Sequence, residues 1–298
     1  MSALAADTRW ARLHNFWLDY RQSYVAVASL VIIVVVILMA VFAPWIAPQD
    51  PYNQMTLDLS DARLMPGESG TGGYAHWLGT DAAGRDIYSA ILFGLRTSLT
   101  VGVLAGAFAL LVGGTVGLLA AYYGGRTEAV IMRIVDLQLS LPAILLALVI
   151  VALLGQGLGQ LVIALALAQY AYFARTTHGA ASAERGKDYI EAALSTPLPA
   201  RQVLFRHLLP NAMPPLIVVA TVQVANSIAL EATLSFLGLG LPLTQPSLGS
   251  LISNGFQFLL SGRYWISIYP GIALMLTVVA INLVGDRVRY VLNPRRSR

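Results

Sequence analysis

Long apolar runs alternate along this chain with short polar interruptions, and each run is close to the length a helix needs to cross lipid. About 20 apolar residues span a hydrocarbon layer roughly 30 Å thick. Six runs qualify, at roughly 25–47, 97–122, 129–153, 160–177, 211–237 and 267–285. The first follows a polar lead of residues 1–24 and stays apolar through Phe42, too long on both counts for a secretory leader, so it is expected to be a retained anchor. Two connections are longer than tight turns. Residues 48–96 carry Pro, Gly and Asp clusters and then a predicted interfacial helix, Asp86 to Leu95. Residues 238–266 contain a semi-apolar piece, Leu248 to Leu260, too short to span and expected to lie on one face or re-enter. Neither a solenoid-period repeat nor a low-complexity tract interrupts this plan. The pattern predicts an all-α integral membrane protein: a segment 1–24, a transmembrane domain 25–286 and a basic tail 287–298.

Basic residues orient it. Arg9, Arg12, Arg21, Arg126, Arg133, Arg175, Arg185, Lys187, Arg201 and Arg206 fall on one side with the tail arginines 287, 289, 295, 296 and 298. The other side keeps Arg63, Arg85, Arg96 and Arg263, and gathers Asp50, Asp58, Asp61, Glu68, Asp81 and Asp86 in the loop 48–96. Cytoplasmic loops hold the excess of Lys and Arg, so both termini and the loop 178–210 are expected in the cytoplasm, with 48–96 and 238–266 outside. Composition agrees: 57% of residues are hydrophobic and 11% charged, against roughly 25% charged in a soluble domain. The net charge of +4 does not indicate nucleic acid, because the basic residues sit at segment ends rather than in a stripe. With no cysteine in the chain, disulfides, thiolate metal sites and cysteine nucleophiles are excluded.

Candidate chemistry is sparse. An intramembrane protease would need paired aspartates, a Ser-His pair at depth or a His-Glu-x-x-His zinc helix, and none occurs. An ion-coupled secondary transporter, the remote alternative, would be expected to show inverted repeats and coupling charges at the midplane. Asp136 lies three residues after Arg133, a spacing that allows a structural pair. Glu231, within the fifth run and with no partner near in sequence, is a functional candidate by default; a buried, paired structural Glu is the competing reading. His76, Trp77, Asp81, Arg85 and Asp86 form a dense polar cluster, but one His on a Gly-rich loop is a poor metal set. Gly113, Gly114 and Gly117, with Ala105 and Ala107, suit close helix packing. No G-x-x-x-x-G-K-[ST] loop is present, so the chain cannot bind ATP as a P-loop motor does.

One polar island carries a recognisable order: Glu191-Ala-Ala, a break a few residues on, then Leu209-Pro210 before the next apolar run. It resembles the EAA loop of permease subunits of ATP-binding-cassette importers. Further blocks resemble the second permease of the dipeptide, oligopeptide and nickel branch. They are Phe42-Ala-Pro-Trp-Ile-Ala-Pro-Gln-Asp-Pro51, His76-Trp-Leu-Gly-Thr-Asp-Ala-Ala-Gly-Arg-Asp86, Ser235-Phe-Leu-Gly-Leu-Gly240, and Asn282-Leu-x-Gly-Asp286 with Leu292-Asn-Pro294. Together they reach from about residue 16 to 294.

The resemblance implies a six-helix permease of the type I importer fold in a bacterial inner membrane. It also implies a second, homologous permease forming a heterodimer, two ATPase subunits that hold ATP and Mg, and an extracytoplasmic solute-binding protein. This chain itself would hold no cofactor, metal or catalytic residue. Glu191, Ala192, Ala193, Pro197, Leu209 and Pro210 would form the helix that docks into the ATPase. Glu231, Asp81, Arg85 and Asp86 are candidates for the translocation path or partner interface. The substrate implied is a di- or oligopeptide, with nickel, glutathione or another small solute as the alternative. One position departs from the pattern: Pro197 stands where the family loop usually has Gly. Both break a helix, Gly by free backbone angles and Pro by a clash and a missing donor.

Overall fold

A computed structural model of the protein describes residues 9–53, 57–190, 199–242 and 245–292. Among them the fold is helical, with two isolated β-bridges, Ser69 to Ala75 and Thr80 to Asp86, and no strand. The helices are α1 (Arg9–Tyr20), α2 (Tyr24–Ile46), α3 (Ile87–Tyr123), α4 (Gly125–Leu139), α5 (Ala143–Leu154), α6 (Leu158–Arg185), α7 (Ala200–Phe236), α8 (Leu248–Phe256) and α9 (Trp265–Val291).

Four of these, α2, α3, α7 and α9, are long and apolar enough to cross a membrane, and the bent pair α4–α5 would make a fifth. The predicted third span is thus not one straight helix but two that meet at 92°. Pro142 explains the break: it cannot donate to the carbonyl four residues back, its ring clashes there, and it pushes Leu141 out of helical geometry. The fourth run sits inside α6, a 28-residue helix that is more polar than α2, α3, α7 and α9. The predicted interfacial helix is likewise absent as a separate element. Asp86 caps α3, accepting from the Ser89 amide at 2.7 Å, and with no proline from Ile87 onward the helix runs 37 residues without a stop.

Glycines set how closely the helices approach. A Cβ on Gly113 would lie 2.1 Å from the Tyr170 carbonyl oxygen of α6, and one on Gly117 2.3 Å from that of Ala174. Nearer its start, α3 presents Gly102 and Gly106 to Ile228 and Val224 of α7. Gly114, in the same sequence cluster, meets only ordinary contacts, and Ala107 is exposed. Against this frame packs the short α8, its start fixed by a Ser247–Ser250 capping box, with Gly249 lying against the Ala232 backbone. At the far end, Arg287 of α9 donates to the Tyr20 carbonyl at 3.2 Å and to that of Asp19, clamping α1 to α9.

Candidate functional site

The island that the sequence singles out is framed by the structure at both ends. Glu191, Ala192, Ala193 and Pro197 lie outside the described residues. Just before them, Ile190 is fully buried. Just after them, Val203, Leu204 and Leu208 pack with Ile190 onto Leu118, Ala121 and Ala181 of α3 and α6. Leu209 is half-buried on the same cluster, and Pro210 is exposed. Because Pro210 has no N–H and its ring crowds the Arg206 carbonyl, the preceding turn is widened: Val203–Leu208 is a π-helix, with the Leu209 amide donating to Leu204.

A second tie runs across the same frame. Asn211 Nδ2 donates to the Tyr189 hydroxyl at 3.0 Å and to the His207 carbonyl at 2.8 Å. The Tyr189 hydroxyl in turn donates to Glu184 at 2.6 Å. Hydrogen bonds from Lys187 and then Tyr189 hold the Glu184 carboxyl below its ordinary value, and the bond to Glu184 holds the Tyr189 phenol above its own. The start of α7 is therefore tethered to the end of α6 on either side of residues 191–198.

The cluster around Asp81, Arg85 and Asp86 is a buried knot at the start of α3. Asp81 accepts from Arg85 Nε at 2.7 Å and from the amides of Ala83 and Arg85 at 2.8 and 3.0 Å. Asp86 accepts from the Ser89 hydroxyl at 2.6 Å and faces His76 Nδ1 at 3.0 Å. Its own amide donates to Gln49 at 2.7 Å, while Trp265 Nε1 donates to the Thr80 carbonyl at 3.3 Å. These side chains join the loop between α2 and α3 to α9, and apart from His76 Nε2, which is buried without a hydrogen-bond partner among the described residues, the groups named here bond within the chain. Among the described residues no three His, Cys, Asp or Glu side chains are grouped as a metal would require.

Glu231 is fully buried. Its two carboxyl oxygens accept from Ser98 of α3 and Ser235 of α7, both at 2.8 Å, and Ser247 at the head of α8 stands beside them. It joins three helices. Asp136 does not pair with Arg133, as its spacing suggests, but with Arg175 of α6 at 2.7 Å, at ion-pair distance and off the hydrogen-bond direction. Two residues missed at the sequence level are Gln223 and Asn226 of α7. They line a cavity of about 1070 Å³ between α6, α7 and the end of α9. Their signal was available, since they are carboxamides in the middle of an apolar run.

Residues 113–298 match the family described as the binding-protein-dependent transport system inner membrane component. The chain belongs to that family. Residues 12–66 of the permease also match the N-terminal transmembrane domain of oligopeptide transport permease C. The permease is 39% identical to the dipeptide transport system permease protein DppC of Escherichia coli, over 98% of this chain and 96% of that one. It is 37% identical to the glutathione transport system permease protein GsiD of Pectobacterium atrosepticum, covering 94% and 90%. A third relative, the di/tripeptide transport system permease protein DppC of Pseudomonas aeruginosa, is 37% identical, covering 95% and 92%. In fold the permease is similar to chains of the MetNI methionine ABC transporter in inward-facing conformations. One is 21% identical with a TM-score of 0.57 over 70% of this chain and 98% of that one. Another is 22% identical with a TM-score of 0.55, over 68% and 96%. The permease is thus a multi-pass membrane protein of the importer type.

Proposed function

We propose that this permease imports di- or oligopeptides across a bacterial inner membrane as one half of a heterodimeric pathway, driven by two ATPase subunits and loaded by an extracytoplasmic binding protein. The observation that carries the substrate class is the alignment of relatives named as dipeptide permeases over nearly the whole chain. Glu191, Ala192, Ala193 and Pro197 form the docking element for the ATPase, and Leu209 and Pro210 begin the lever that receives its motion. The support is mechanical. The two residues that flank the segment, Ile190 and Val203, are both packed on the α3–α6 frame, so a displacement that reaches either of them is passed to α6 and α7. An ATPase can shift the permease between inward and outward states only by its differential affinity for the two. This frame gives that difference a point of action.

Orientation and coupling are tested separately. In intact cells, Ser69→Cys is expected to react with a membrane-impermeant thiol reagent and Asp188→Cys to be silent; both sites are exposed. The native chain has no cysteine to confuse the result. Outside labelling of Asp188→Cys reverses the topology and removes the docking role. In the purified complex, Glu191→Ala is expected to reduce ATP-driven uptake of L-alanyl-L-alanine about tenfold, since a charge-assisted contact contributes about 1.5–3 kcal/mol. Wild-type uptake by a fully assembled variant complex would refute that role.

A further inference from the structure

We infer that Gln223 and Asn226 form a solute station half-way along the permease, where two carboxamides meet the peptide bond of a substrate in transit. The inference rests on the import function proposed above and names where in this chain the solute is handled. Gln223 lies about 20 Å of helix beyond Leu209, in the middle of a mostly apolar run. Polar side chains at such depth are costly to place against hydrocarbon and mark pathways. Both side chains face the cavity between α6, α7 and the end of α9. Its volume of about 1070 Å³ suits a small organic solute.

The hydrogen-bond pattern shows what is left over for a ligand. Asn226 Nδ2 donates to Gln223 Oε1 at 2.7 Å. Gln223 Nε2 has no partner among the described residues although the residue is 3% exposed. A buried donor without an acceptor costs free energy, and a peptide carbonyl would supply one. Asn226 is exposed in the cavity and can present its own carbonyl oxygen to a peptide N–H. Behind the pair, Gln169 Nε2 donates to Ser227 Oγ at 2.9 Å, and Ser227 donates to the Gln223 carbonyl at 2.9 Å. This relay holds the Gln223 backbone against α6, so Gln169 and Ser227 are positioning residues. Both station groups are neutral and offer a donor and an acceptor, which matches an amide better than a metal ion or a bare anion. Arg175, Asn211 and Arg289 line the same cavity toward the end of α7 that carries the basic residues, so a solute leaving the station passes between cations on its way out.

The test uses the complete complex in inside-out vesicles. Thr176→Cys, which lines the same cavity and leaves both station residues in place, is expected to react with a small cationic methanethiosulfonate reagent, read by mass on this chain, and millimolar L-alanyl-L-alanine is expected to slow that reaction at least threefold. Glycerol, polar but without a peptide bond, gives no protection. Val279→Cys, exposed on α9 outside the cavity, is not protected either. In proteoliposomes of the opposite orientation, with ATP enclosed and the binding protein outside, Gln223→Leu is expected to slow L-alanyl-L-alanine uptake about tenfold while the subunits still co-purify and ATP hydrolysis persists. Absence of labelling at Thr176→Cys, protection by glycerol equal to that by the dipeptide, or unchanged uptake in Gln223→Leu overturns the station. So does loss of subunit association in Gln223→Leu, which would make this face a contact with the second permease. If the wild-type complex drives dipeptide uptake with ATP and no protection is seen, the station alone falls. If it drives no dipeptide uptake, the peptide reading falls and the station with it.

Discussion

Leucine in place of Gly113 is expected to abolish accumulation of folded permease, whereas leucine at the adjacent Gly114 is expected to be tolerated. The difference lies in what a side chain would meet. At Gly113 the first carbon would sit 2.1 Å from the Tyr170 carbonyl oxygen, 2.7 Å from the Phe173 Cβ and 2.9 Å from the Ala174 amide nitrogen. Those atoms belong to the backbone of α6 or are attached directly to it, so no rotamer change clears them. At Gly114 the nearest atoms are the Leu110 Cδ1 at 3.9 Å and the Thr177 Oγ1 at 4.0 Å, both at side-chain ends. Overpacking usually costs about 1–3 kcal/mol when side chains can yield. With backbone as the obstacle, α3 and α6 must separate and the Gly117 approach is lost as well. The yield of monodisperse protein after detergent extraction measures this. Equal yields from the two variants would show that the α3–α6 approach does not hold the fold together.

The second large effect is expected at Glu231. Leucine there removes the acceptors for the Ser98 and Ser235 hydroxyls inside a fully buried site. Unsatisfied buried groups cost about 1–3 kcal/mol each, so Glu231→Leu is expected to lower thermal stability in detergent, and Glu231→Gln, which keeps an acceptor, to lower it less. Because the cost comes from the orphaned hydroxyls, adding Ser98→Ala and Ser235→Ala to Glu231→Leu should recover most of the loss. A leucine variant as stable as wild type, or a triple variant no better than the single one, contradicts the bridging role.

How much of this was legible beforehand depends on whether the determining partner was near in sequence. The apolar runs gave the helices, because crossing lipid is a property of each segment alone. The short reach of Leu248–Phe256 was readable for the same reason. The bend between α4 and α5 was also written locally, in Leu141-Pro142, but the apolar count ran across it. Long-range choices were hidden. Asp136 has Arg133 at pairing distance along the helix and takes Arg175 instead. Glycines 113 and 117 stood out as a cluster, while Gly102 and Gly106, at the same four-residue spacing, were not picked out although they make room for the Ile228 and Val224 side chains of α7. Glu231 announced itself as unusual, and Ser235 lay within reach four residues on, but Ser98 of α3 and Ser247 at the head of α8 could not be read from α7 alone. The polar knot at Asp81, Arg85 and Asp86 was visible as a cluster. Its hydrogen bonds within the loop, to Gln49 and along the start of α3, depend on how the chain returns.

The π turn at Val203–Leu208 has a consequence for how this lineage can change length. Such a turn holds one residue more than an α-helix needs over the same rise, and each residue of helix advances the face by about 100°. Deleting any one residue from that turn would let the segment relax into ordinary α-helix over the same rise, so the remainder of α7 would keep Gln223 and Asn226 on the cavity and Glu231 beside Ser98. A deletion further along α7, where no residue is surplus, would turn everything beyond it by more than a quarter turn. The wide turn is slack that the two ends of the helix do not feel. A gap of one should therefore be tolerated among functioning relatives at this turn far more readily than elsewhere in α7.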